Sequence, residues 1–230
     1  AEAGVLTFDA ARRGSEILLG LAMVQPMLEH AVTVPRDRTL AVVSVALVAP
    51  MLAGFAQVPA EASLLLSNVR LLQQFQGPYN GGSDRIRLLL LTGLLVSYLL
   101  PGRWAPLALG YVAVQVVLSY TLAGWVKLLN PEWRNGQALV DVFSFSVYPV
   151  SESLRHWARR PRLLRGLAWL TIAFEVLFPL SLLHPTALPV ALAAAFGFHV
   201  VNACVFGLNR FVWSWLATYP CLLWFQSLVR

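Results

Sequence analysis

The sequence predicts an all-α integral membrane protein. The expected architecture is a bundle of about six or seven transmembrane helices plus interfacial amphipathic helices, in one domain over residues 1–230. Three observations carry that prediction. Hydrophobic residues make up 58% of the chain and charged residues 12%, against roughly 45–50% and about 25% in soluble globular chains. The mean hydropathy is +0.66, too apolar for a chain that must cover itself with polar surface in water. The apolar residues also fall in runs close to the ~20 residues that cross hydrocarbon as a helix, separated by short connections.

The elements follow in order. The first span runs from about Phe8 to Val32, entered through Arg12, Arg13 and Glu16 and ending near Glu29 and His30. A Pro35–Arg38 turn leads to a second span, about Thr39 to Gln57. Ala60 to Gln76 mixes Leu64, Leu65, Leu66, Val69 and Leu72 with Glu61, Asn68, Arg70, Gln73 and Gln74, an amphipathic pattern suited to an interface. A dense turn signal, Gly77 to Asp84, precedes a third span over about Arg85–Leu100, which Ser83 or Asp84 can cap. Pro101-Gly102-Arg103 breaks that helix, and the fourth span covers about Trp104–Leu129. The polar stretch from Asn130 to about Arg162 includes an interfacial segment over Trp133–Val147. Spans at about Leu163–Leu183, Ala187–Leu208 and Phe211–Leu228 complete the bundle.

The net charge of +6 and a pI near 9.9 do not point to nucleic acid, because no soluble basic face is expected. Lys and Arg gather instead in alternate connections. With the N-terminus inside, roughly 13 of the 17 fall on the inner side, which predicts a cytoplasmic N-terminus if all seven spans are real. No cleavable signal peptide is expected, since the first apolar run follows Arg12 and Arg13 without a small-residue cleavage site. Cys204 and Cys221 lie in apolar segments, as small fillers or as a disulfide between neighbouring helices. Trp213, Trp215, Tyr219 and Trp224 read as an interfacial aromatic belt.

Ionisable residues inside hydrocarbon cost several kcal/mol unless paired or hydrated, so they are functional candidates. Glu175 sits near the middle of the fifth span, four residues before Pro179. It is either a site carboxyl or a hydrogen-bonding lock between helices. His199 lies mid-span with Asn202 on nearly the same face, as a proton handler or as helix–helix glue. Lys127 ends the fourth span. It is either a partly desolvated base or a lysine snorkelling from a helix end. Gly124, three residues earlier, permits close helix approach. No second histidine stands at ligand spacing, and no metal is expected.

Taken in order, these marks resemble a known family. Asn80-Gly-Gly-Ser-Asp84 precedes a span; Gln115, Tyr120-x-x-Ala123-Gly124-x-x-Lys127 and Trp133-x-x-Gly136 follow, then Glu175-x-x-x-Pro179, Phe198-His199 and the aromatic Phe211–Tyr219. The pattern, from Phe8 to the C-terminus, is similar to the horizontally transferred transmembrane (HTTM) domain. That domain is shared by vitamin K-dependent gamma-carboxylases and by bacterial membrane proteins such as the sporulation-delaying-toxin maturation protein. The resemblance implies a multi-pass protein of the bacterial inner membrane, and lyase-type chemistry dependent on a quinone or hydroquinone. The substrate would be a peptide or a lipid-soluble molecule. In the carboxylases, a lysine placed like Lys127 acts as base toward the hydroquinone. By the same resemblance His199 would relay protons and Glu175 would tune the lysine. Tyr120, Gly124, Trp133 and Asn202 would line the cofactor.

Several departures set bounds on the analogy. One extra residue separates Lys127 from Trp133, and a further catalytic histidine of the carboxylases has no counterpart. Without their large lumenal domain, carboxylation of glutamate is not expected of these residues. The charge count also puts the Lys127 connection inside, whereas the carboxylase site opens to the lumenal side. The other reading is a non-catalytic membrane subunit that scaffolds a partner membrane protein, in keeping with the amphipathic Ala60–Gln76 segment.

Overall fold

Helix boundaries are set by strong local signals. In the computed structural model, which describes residues 6–72, 81–145 and 152–230, Thr7 caps α1 (Phe8–Thr33) by accepting a hydrogen bond from the Ala10 amide at 3.3 Å. A 3₁₀ turn at Pro35–Asp37 leads into α2 (Arg38–Ala53), which stops at Gly54, left-handed at φ +82°. Then come α3 (Gln57–Leu72), α4 (Gly81–Leu99), α5 (Trp104–Leu129), α6 (Pro131–Asn135) and α7 (Gln137–Phe145). They are followed by α8 (Pro161–Leu177), continued by a 3₁₀ segment Phe178–Leu183, and by α9 (Ala187–Phe206), α10 (Asn209–Leu216) and α11 (Tyr219–Val229). The Gly77–Asn80 turn, the end of the amphipathic segment beyond Leu72 and the end of the Trp133–Val147 segment beyond Phe145 lie outside the described residues.

The chain forms two compact units. The first comprises residues 1–114 and 210–228, the second residues 115–209 and 229–230, so α5 gives its first half to one and its second half to the other. In the first unit α1 packs on α2 and α4, and α3 on α2 and α4. Its interior is unusually polar: Ser15, Glu16, Ser44, Glu61, Asn68, Asp84 and Arg87 are all buried. Along α3 the inward face is Ala60, Glu61, Leu64, Ser67 and Asn68, while Leu66 and Val69 face out. The amphipathic pattern is present, with its polar side turned inward.

In the second unit α6 and α7 pack on α8. Asn130 caps α6 by accepting from the Glu132 amide at 2.9 Å, with Pro131 at the first helical position. Gly136 ends it at φ +87°, its Cα against Arg165 of α8, where an added Cβ would come within 2.7 Å of the Arg165 Cα. Gly136→Ala is expected to cost about 1–2 kcal/mol from the left-handed backbone alone. Thermal unfolding in detergent checks this, and a control Gly166→Ala, with open space around it, should be nearly silent.

Large apolar side chains cover the outside of the long helices. Leu107, Tyr111, Val114, Leu118, Leu122, Trp125 and Leu129 recur every three or four residues as an exposed stripe along α5. Such a surface fits lipid, not water.

Among the described residues three helical runs are long and apolar enough to cross a membrane: Trp104–Leu129, Pro161–Leu183 and Ala187–Phe206. This is fewer than the six or seven expected from sequence, and each shortfall has a cause. α1 carries Asp9, Arg12, Arg13, Glu16 and Glu29; α2 has 16 residues; α4 begins with Asp84, Arg85 and Arg87. The expected last span breaks into helices of 8 and 11 residues, with Pro220 in the first turn of α11, where proline is tolerated only as a helix begins. The aromatic belt is also revised. Trp213 is exposed, but Trp215, Tyr219 and Trp224 are buried. Cys204 and Cys221 are free thiols, with Cys221 3.2 Å from the Ser15 hydroxyl.

Candidate functional site

The second unit holds the residues singled out in the sequence. Tyr120, Gly124 and Lys127 stand four and three residues apart, hence on one face of α5. Opposite them on α8 and its 3₁₀ extension are Phe174, Glu175, Val176 and Phe178. The absence of a side chain at Gly124 lets the two helices touch: a Cβ there would stand 2.7 Å from the Val176 nitrogen and 2.8 Å from the Glu175 Cβ.

That contact brings Lys127 onto Glu175. The Lys127 Nζ donates to both carboxylate oxygens, at 2.7 and 2.9 Å, and to the Ala123 carbonyl at 3.4 Å. The Trp133 ring lies 5.1 Å from Nζ, within cation–π range. The ammonium is therefore turned into the helix pack, and the snorkelling geometry is not adopted. Side-chain exposure is 18% for Lys127 and 6% for Glu175, so the pair is largely shielded.

Lys127 also lies deeper than the end of α5 suggests. Beyond it the chain continues along α8 toward the start of that helix. The Trp169 indole donates to the Arg134 carbonyl at 3.0 Å, and Gly136 reaches Arg165. Glu175 is ten residues past Arg165, about 15 Å along a helix. The pair therefore faces the middle of the Pro161–Leu183 run.

Two turns before Lys127 on the same face, the Tyr120 hydroxyl is hydrogen-bonded to His199 Nε2 at 3.1 Å, with both residues buried. Tyr120 stacks on Phe178 with centroids 4.1 Å apart and meets Phe174 edge-on at 5.8 Å. Phe174 in turn contacts Phe198 at 6.2 Å. Lys127, Glu175, Gly124, Tyr120, Trp133 and His199 thus lie along one continuous set of contacts. Asn202 does not join it. Its backbone carbonyl accepts from the Leu208 amide at 3.4 Å where α9 ends, and among the described residues no hydrogen bond links its side chain to the others.

Phe174 and Phe178 were not expected. They are the aromatic floor on which Tyr120 sits, and the only hint in the sequence is their placement one residue before and three after Glu175. Arg210, in the first turn of α10, belongs to the first unit and pairs there with Glu29, its Nε 2.8 Å from the carboxylate, and lies 3.8 Å from Asp84.

A helical protein with apolar outer surfaces, membrane-length helices and a charged pair held within its helix pack is a membrane protein. More particularly, a profile of the HTTM domain matches residues 103–226, more than half of the chain, and the protein belongs to that family. The match takes in Lys127, Glu175 and His199, while the Asn80–Asp84 motif lies outside it. No curated protein and no solved structure matched the chain.

Proposed function

We propose that this HTTM-family protein is a multi-pass inner-membrane enzyme. It would act on a peptide or lipid-soluble substrate with an apolar quinone or hydroquinone held along the α5–α8 contact. In this reading α1 and α4 also enter the bilayer, because their buried charges are paired: Glu16 with Arg13, and Asp84 with Arg87. The observation that carries the proposal is the Lys127–Glu175 pair, shielded inside apolar helices and continuous with Tyr120 and His199.

The chemistry of that donor set fits a quinol-type group. Lys127 Nζ, the Tyr120 hydroxyl and the His199 ring are hydrogen-bonding groups beside the aromatic faces of Phe174 and Phe178. A bound hydroquinone supplies reducing equivalents and an acidic O–H. A proton can move from Nζ to the Glu175 carboxylate with no change in the net charge of the pair, leaving a neutral amine as base. Glu175 then sets how readily Lys127 gives up and regains its proton. His199, through Tyr120, offers a second place for a proton. Trp133 and Gly124 hold the lysine in position.

The test is quinol-dependent turnover by purified protein. Lys127→Ala should lower turnover by at least about 10²-fold, in the range of general acid–base catalysis, with Glu175→Gln and His199→Ala also impaired. Wild-type turnover in all three variants would overturn the proposal.

A second reading is favoured by the same pair. With its ammonium satisfied by Glu175, Ala123 and Trp133, Lys127 also suits a purely structural lock in a membrane subunit that scaffolds a partner protein. Stable co-purification of a second membrane protein, retained when both members of the pair are replaced together by apolar residues, would decide for that reading.

A further inference from the structure

The first unit, independent of the Lys127 site, contains a carboxylate with nothing to hold it. Glu61 of α3 has no exposed surface, and neither of its oxygens has a hydrogen-bond partner among the described residues. Its neighbours are spoken for. Glu16 of α1, also fully buried, accepts from Arg13 at 2.8 Å and from the Tyr98 hydroxyl of α4. Arg13 further donates to the Met51 carbonyl at 2.7 Å and to that of Leu52. Arg12 pairs with Asp9 at 2.8 Å and lies over the Tyr98 ring at 4.2 Å.

The surrounding charges do not balance. Glu16, Arg12 and Tyr98 are near enough to act on Glu61. Counting their partners, three acids (Asp9, Glu16, Glu61) face two bases (Arg12, Arg13). Among the described residues no other element makes up the difference. The one charged residue of α2, Arg38, sits at its start and donates to the Ala31 carbonyl at 3.2 Å. Arg70 of α3 is exposed. The charged residues of α4, Asp84, Arg85 and Arg87, are eleven or more positions from Tyr98, about 16 Å along the helix. α11 brings Cys221 against Ser15 but carries no charged side chain.

An isolated carboxylate in such a place is so unfavourable that it takes up a proton or binds a cation. A divalent ion needs several ligands, and among the described residues no three His, Cys, Asp or Glu side chains converge. We propose that Glu61 and Glu16 form a buried proton-binding site, with the proton on the Glu61 carboxyl supplying the positive charge the side chains lack. In keeping with this, burial, then the Glu16 charge, push the Glu61 carboxyl up from 4.5 to about 8 against the weaker opposing pull of Arg12. The site therefore loads and unloads near neutral pH.

Infrared spectroscopy of the full chain in detergent, between about pH 5 and pH 9, tests this. The wild type should show the carbonyl band of a desolvated carboxylic acid, fading as pH rises through about 8. The band should vanish in Glu61→Gln and persist in Glu175→Gln, which separates this site from the Lys127 pair. Stability gives a second readout. A carboxyl whose folded value is raised leaves the protein unpenalised below the unfolded value near 4.5, and the penalty accumulates as pH rises to about 8. Glu61→Gln, which mimics the protonated form, should match the wild-type melting temperature near pH 5 and exceed it by roughly 2–8 °C near pH 9. If Glu61→Gln does not accumulate, Glu61→Asp should shift the band. A band unchanged in either variant overturns the proposal. So does stabilisation of the wild type, but not of Glu61→Gln, by sodium relative to choline at equal ionic strength, since that outcome makes the occupant a metal cation.

Discussion

Lys127→Met is expected to destabilise the protein by about 3–5 kcal/mol, the cost of removing one partner from a buried ion pair. The Glu175 carboxylate, 6% exposed and held by two hydrogen bonds from Nζ, loses both and cannot turn to water. Glu175→Leu leaves Lys127 buried and unpaired, though less severely, because its side chain is 18% exposed and its long stem can swing outward. The double variant Lys127→Met/Glu175→Leu should recover most of the loss, since apolar replacement of a whole buried pair is near neutral or stabilising. Thermal unfolding in detergent measures all three. Destabilisations that simply add in the double variant would mean that the two residues do not act as a pair. A stable but inactive double variant would further separate catalysis from folding and favour the enzymatic reading over the structural lock.

How far the sequence could be read depended on whether a feature was local. The boundaries of α5 were legible because Pro101-Gly102-Arg103 and Asn130-Pro131 are strong breakers on either side of an apolar run. Glu175, Lys127 and His199 were legible because charge and hydrogen-bonding capacity in apolar runs are conspicuous in one dimension. The connections among them were not. His199 has Asn202 three residues on, but its partner in the structure is Tyr120, 79 positions away. The depth of Lys127 depended on the path of α6 beside α8, which no periodicity encodes. The last predicted span failed because its mean apolar character concealed the helix break at Pro220. The polar interior of the first unit was the least legible feature. Glu16 and Glu61 look like ordinary interfacial residues until α1, α3 and α4 enclose them, and that enclosure joins residues up to 82 positions apart.

Gly124→Val tests whether the whole site depends on one close approach. The first carbon of the new side chain would meet the Val176 nitrogen at 2.7 Å, the Glu175 Cβ at 2.8 Å and Val176 Cγ2 at 2.9 Å. The first of these is backbone, which cannot rotate aside, so α5 and α8 must separate. The expected cost is about 3 kcal/mol, the upper end for overpacking a close-packed contact. It should exceed that of Gly110→Val, also on α5, where the nearest atoms to an added Cβ are those of Phe225 at 3.9 Å. Separation of the helices also lengthens the Lys127–Glu175 contact, so Gly124→Val should lose part of the energetic coupling between those residues. A double-mutant cycle on Lys127 and Glu175, run once in the wild-type background and once in the Gly124→Val background, reads that coupling directly. Undiminished coupling in the valine background would show that the pair forms without the close approach. Glycine would then serve packing alone.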